Sequence, residues 1–196
     1  RSFQPTLEIV RKSVHPEDLS RFLEALESVK ETGEGCEVRY RVRRPDGTLR
    51  HVHTFMEAVK SAEGRVLRLL GTMQDETETV LAQTAYKEVQ RLAHLGNWNM
   101  SLATGEIQWS DEKYRIYGLE PQSVKVDMDF CHRTIYPEDM VGVVKALGEV
   151  AEGKGVRDLA YRITRPDGEV RHLRGKAELE YDSDGKPSRI LGTALD

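Results

Sequence analysis

Tyr161-Arg162-Ile163-Thr164-Arg165-Pro166-Asp167-Gly168-Glu169-Val170-Arg171-His172 reads as a strand, a tight turn and a second strand. Leu159, Tyr161 and Ile163 alternate with small or polar neighbours, the period of two that a strand with one buried face requires. Pro166 presets φ for the turn, Asp167 tolerates the bend, and Gly168 takes the positive φ that ends it. The same phrase stands 121 residues earlier, at Tyr40-Arg41-Val42-Arg43-Arg44-Pro45-Asp46-Gly47-Thr48-Leu49-Arg50-His51. With that offset held, residues 14–75 align with 135–196 without a gap, and 22 of the 62 pairs are identical. Among them are Pro16-Glu17-Asp18 with Pro137-Glu138-Asp139, Leu70-Gly71-Thr72 with Leu191-Gly192-Thr193, and Asp75 with Asp196. A gapless match of this length marks a duplication.

Each copy reads the same way outward from the hairpin. His15-Pro16-Glu17-Asp18 and Tyr136-Pro137-Glu138-Asp139 are helix starts, with proline in the first turn and acids at the positive end of the dipole. Leu19, Phe22, Leu23, Leu26 and Val29 form an apolar stripe in the first copy; Met140, Val143, Val144, Leu147 and Val150 form it in the second. Gly33 and Gly35, and Gly153 and Gly155, close these helices, and a third strand ends each copy. The second copy also has a front half. Trp98, Met100 and Leu102 alternate, Ala103-Thr104-Gly105 turns the chain, and Ile107 and Trp109 return. Ser110 is an N-cap for a short helix carrying Tyr114 and Tyr117. The first copy has no such hairpin at the matching offset. Residues 76–94 contain no Gly or Pro and predict one helix, either a dimer-forming amphipathic one or a solvated linker.

The resulting division is 1–75 for the partial copy, 76–94 for the connecting helix and 95–196 for the complete copy. With 29 basic and 33 acidic residues the net charge is −4, signs interspersed, which argues against nucleic acid and anionic membrane surfaces. No apolar run approaches the length of a membrane span. Cys36 and Cys131 form no CxxC and read as reduced thiols of a cytoplasmic protein. The chain lacks an initiator methionine and begins inside a repeat, so it is expected to be part of something longer.

Gly96-Asn97-Trp98, Ala103-Thr104-Gly105, Trp109-Ser110-Asp111, Tyr136-Pro137-Glu138-Asp139, Tyr161-Arg162, Arg165-Pro166-Asp167-Gly168 and the closing Gly192-Thr193 to Asp196 together resemble the PAS sensor family. The likeness is to the branch found in bacterial sensor histidine kinases and diguanylate cyclases. It implies an α+β fold, a five-stranded antiparallel sheet with helices on one face, here as a tandem repeat joined by a helix. It also implies that Asp75 and Asp196 anchor each sheet to a departing output helix, although Asp75-Glu76-Thr77 lacks the isoleucine usual at that junction.

No GxSxG, P-loop, HExxH or Rossmann glycine pattern is present. His51 and His53 share a strand face and suit a metal poorly, since only His51 recurs, as His172. Light-sensing relatives carry a reactive cysteine in an Asn-Cys-Arg-Phe motif; Cys131 stands in Asp129-Phe130-Cys131-His132-Arg133, which disfavours cysteinyl-flavin photochemistry. Haem is disfavoured because neither long helix carries a histidine, with His132 just upstream the nearest exception. No cofactor is required; a non-covalent flavin, a small organic ligand or a filled core all remain open. Trp98, Met100, Ile107, Trp109, Tyr117, Met128, Phe130, Tyr161 and Ile163 are the expected lining of any cavity, with Asn97, His132 and Arg133 as its polar groups. The function expected is non-catalytic sensing and relay in a homodimeric sensor, coupled to a C-terminal output domain of the same protein. A histidine kinase is the first parent, a diguanylate cyclase or phosphodiesterase the second, and a pure dimerisation module the other alternative.

Overall fold

A computed structural model describes residues 6–196, in two compact units that divide after Ala85. In the first unit, helix α1 (Leu7–Ser13) and a 3₁₀ turn over Pro16–Asp18 lead into α2 (Leu19–Thr32). Strands β1 (Cys36–Arg43), β2 (Leu49–Lys60) and β3 (Val66–Asp75) follow as an antiparallel sheet in that order. Phe22, Leu26 and Val29 of α2 are buried against Val38, Tyr40, Val52 and Met56 of the sheet. The helix predicted over 76–94 is α3 (Thr77–Leu92), and the division between the units falls within it.

The second unit contains β4 (Leu95–Ser101), β5 (Ile107–Trp109), α4 (Asp111–Ile116), α5 (Met128–Thr134) and α6 (Pro137–Ala151). Then come β6 (Arg157–Thr164), β7 (Val170–Tyr181) and β8 (Pro187–Leu195). The five strands form one antiparallel sheet in the order β5-β4-β8-β7-β6. Ile163, Leu173, Ala177, Ile190 and Ala194 turn one sheet face towards the helices and pack with Ile116, Met140, Val143 and Val150. Val144 departs from the stripe expected of α6: at 45 % exposure it lies outside the core.

The two hairpins close identically. Gly47 and Gly168 have φ of 84° and 86°, and the Asp46 and Asp167 carboxylates accept from the backbone N–H two residues on, at 2.8 and 2.9 Å. The acids lie in the first turns as expected, and two of them also reach across to the sheet. Asp18 makes no capping bond to its helix. Its carboxylate accepts instead from Arg41 N, Nε and Nη2 at 2.8, 2.8 and 3.0 Å. Asp139 does the same with Arg162, at 2.7, 2.8 and 2.9 Å. Three charge-assisted bonds to a rigid guanidinium and its own backbone outcompete a single bond at a helix end. These pairs pin the start of each long helix to the first strand after it.

Candidate functional site

Between the inner sheet face of the second unit and helices α4, α5 and α6 lies a cavity of about 50 Å³. The sheet supplies Trp98, Met100, Ile107, Trp109 and Tyr161, all expected from strand alternation. Tyr117 and Met128, also expected, close it from the helical side. Two further expected residues stand just outside. Phe130 packs edge-on to Trp109, with ring centroids 5.6 Å apart, and Ile163 is wholly buried in the core.

The polar groups are not the expected ones. His132 is exposed on α5, its Nδ1 2.7 Å from the Met128 carbonyl oxygen, and Arg133 is exposed beside it. Both occupy the outward side of a helix whose other face, Met128 and Cys131, turns to the cavity. Asn97 alternates away from Trp98 and donates from Nδ2 to the Tyr86 hydroxyl at 2.8 Å. The cavity's charged group is Lys113, only 2 % exposed. Its ammonium donates to Tyr161 Oη at 2.8 Å and lies 5.1–5.6 Å from the ring centroids of Trp109, Tyr117 and Tyr161. Helical spacing relates Lys113 to Tyr117, four residues on at the end of α4, but Trp109 lies on strand β5, so no single periodicity in the sequence singles out Lys113.

Local structure explains how a lysine comes to be buried there. Ser110 caps α4, its hydroxyl accepting from Lys113 N at 3.4 Å and from Asn97 N at 2.9 Å, which ties the helix to β4. Gly96 on β4 faces the same helix. A Cβ at that position would lie 2.8 Å from Lys113 Cα and 2.9 Å from its Cβ, so glycine lets α4 sit directly on the strand. The neighbouring carboxylates are engaged elsewhere: Asp111 with Lys87, and Glu112 with His94 and Arg115. Inside the cavity the acids stay protonated. Burial, and then Tyr161 beside it, push the Tyr117 phenol well above its ordinary value, and burial pushes the Cys131 thiol up to about 11. A protonated thiol at this position is a poor nucleophile.

The two strand-end aspartates sit in matched surroundings. Asp75 Oδ1 accepts from Thr77 N at 3.0 Å and from the Thr77 hydroxyl at 2.5 Å, at the first turn of α3. That hydroxyl in turn accepts from His51 N at 2.9 Å, joining strand β2 to the helix start. The Thr77 hydroxyl, then its N–H, hold the Asp75 carboxyl below its usual range. Arg44 and Arg50 stand 3.8 and 3.7 Å from Asp75; Arg165 and Arg171 stand 3.6 and 3.5 Å from Asp196. His53, read as a weak metal candidate, lies between Glu37 and Glu76 at 3.1 and 3.3 Å. No cluster of three or more metal-ligating residues occurs among the described residues.

The sheet order, the helices on its inner face and the cavity between them are those of a PAS sensor domain. The sequence model of the PAS fold matches residues 1–73 and 106–194, and the chain belongs to that family. It is 23 % identical over 192 residues to the probable diguanylate cyclase DgcE of Escherichia coli (strain K12), covering 92 % of this chain and 17 % of that protein. It is 30 % identical over 159 residues to the blue-light-activated histidine kinase of Brucella anthropi, covering 79 % of this chain and 31 % of that one. The chain thus spans less than a third of either relative. Among solved structures, a sensory box histidine kinase/response regulator from Burkholderia thailandensis is similar at 24 % identity, with a TM-score of 0.47 over 57 % of this chain and 82 % of that one. The N-terminal domain of a diguanylate cyclase with PAS/PAC sensor from Marinobacter aquaeolei gives 21 %, 0.46, 52 % and 94 % respectively. No helix among the described residues is long and apolar enough to cross a membrane.

Proposed function

We propose that this chain is a tandem PAS region, non-catalytic, that senses a small ligand and relays its binding within a cytoplasmic signalling protein. The observation that carries the reading is the apolar cavity of the second unit, which holds a few convergent polar groups among aromatic walls. The tandem reading is supported by the two matched Asp–Arg pairs, the two identical hairpins and the two segments matched by the family. Residues 1–75 and 95–196 are the two domains and 76–94 the helix joining them. Asp75, bonded to the first turn of α3, and Asp196, beside Arg165 and Arg171, are the junctions through which each sheet would bias a departing helix. Leu81, Val89 and Leu92, exposed on α3, suit pairing with a second copy. The output is a histidine kinase in the first reading and a diguanylate cyclase in the second, since relatives of both kinds match.

A thermal-shift screen of neutral and charged fragments tests the sensing claim. At least one fragment should raise the melting temperature of the wild-type chain, and Trp109→Ala should lose that response while keeping its far-ultraviolet circular dichroism. If no fragment stabilises the wild type, the sensing claim falls and a dimerisation module with a filled core takes its place.

A further inference from the structure

Lys113 is a buried cation with an incomplete set of partners. An ammonium has three protons to donate, and among the described residues only Tyr161 Oη accepts one. The aromatic faces around it attract the charge but accept no strong hydrogen bond. Lys113 forms no ion pair among the described residues, because Asp111 and Glu112 on its own helix are turned to other cations. Cys131 on the facing α5 and Tyr117 at the end of α4 are neutral. An ammonium withdrawn from water needs a counter-charge, and it sits in a cavity with room for one. The remaining walls, Trp98, Met100, Ile107 and Leu159, are apolar.

We propose that the second unit binds a short-chain carboxylate, its carboxyl group held by Lys113 Nζ with the Tyr161 hydroxyl beside it and its alkyl end against Trp98, Met100 and Ile107. This rests on the ligand-sensing reading and narrows it to a ligand class. The size follows from the cavity: about 50 Å³, where a single water needs about 10–15 Å³, admits a few heavy atoms and is too small for a flavin or haem without repacking. The class follows from the charge. A neutral ligand would leave the ammonium uncompensated, whereas a carboxylate accepts from both free N–H groups.

The chain has two tryptophans, Trp98 and Trp109, and both line the cavity, so intrinsic fluorescence reads its occupancy. The 196-residue chain is titrated with sodium propionate and with propionamide, its neutral isostere, at matched ionic strength. Propionate is expected to change the emission saturably and to bind about tenfold or more tightly than the amide, the worth of a charge-assisted pair. Lys113→Met should abolish that preference and Lys113→Arg should keep it, with circular dichroism verifying the fold of each. Equal binding of acid and amide, or a preference that survives in a folded Lys113→Met, overturns the carboxylate inference and leaves the cavity a ligand site of another class. No response to either compound also overturns it, and the fragment screen, which is not limited to acids, then decides the sensing claim separately.

Discussion

A lysine at 2 % exposure, facing three aromatic rings and one hydroxyl, is held against its own desolvation. Withdrawing an ammonium from water costs several kcal/mol, its single hydrogen bond returns about 1.5–3 kcal/mol, and replacing buried ionic groups with apolar side chains of similar volume is often neutral or stabilising. Without ligand, Lys113→Met should therefore melt at or above the wild-type temperature, as calorimetry would show; a clear drop would mean the ammonium is already satisfied. Asp18 and Asp139 behave in the opposite sense. Arg41 and Arg162 hold their carboxyls at about 2, against an ordinary 3.8. A lowered folded-state value gives stability that is fully present above about pH 4 and is lost as pH falls towards 2. Melting temperatures measured across that interval should fall for the wild type and fall less steeply for Asp18→Asn and Asp139→Asn, which start lower at pH 7. Equal slopes would remove the pairs from the acid response. Both arginines are partly exposed, so salt should weaken the effect.

At the scale of elements, Gly96 sets how closely α4 approaches β4. Gly96→Ala would force the Lys113 backbone away, and overpacking of this kind costs about 1–3 kcal/mol by chemical denaturation. A neutral outcome would show that α4 is free to move. Thr77 plays the corresponding part at the junction. Thr77→Val keeps the shape but leaves His51 N without its acceptor in a site only 5 % exposed, at a cost of about 1–3 kcal/mol. Hydrogen exchange should speed up in the first turn of α3; unchanged protection would separate Asp75 and Thr77 from the helix start. These elements were legible in the sequence to different degrees. Period-two alternation and the Arg-Pro-Asp-Gly turns gave the hairpins and the inner sheet face, because alternation alone assigns strand faces. Helix faces were harder. Val144 fits the spacing of α6 yet is exposed, and α1 and α5, at seven residues each, are too short for periodicity to declare them. The Asp18–Arg41 and Asp139–Arg162 bonds, though repeated at one offset, join positions 23 residues apart that only the folded chain brings together.

Across the whole molecule, matched positions of the two units hold different interiors. Phe22 of the first unit aligns with Val143, and Met56 with Ala177. In the first unit Phe22 packs on Tyr40, ring centroids 4.9 Å apart, and the Tyr40 hydroxyl accepts from Thr54 at 3.2 Å. The matching Tyr161 has Lys113 instead, with the smaller Val143 lining the cavity. Phe22 thus occupies in the first unit the position at which Val143 borders the cavity in the second, so the proposed ligand site lies in the second. Val143→Phe should close the cavity and abolish every fragment response while the protein stays folded; a retained response would put the ligand elsewhere. The most direct test of a ligand site in the second unit is a two-dimensional amide NMR spectrum of the chain during fragment titration, which contains two indole N–H signals, those of Trp98 and Trp109. A bound fragment should move both, saturably and with one affinity. Indole signals that stay fixed while other resonances shift would contradict a site there.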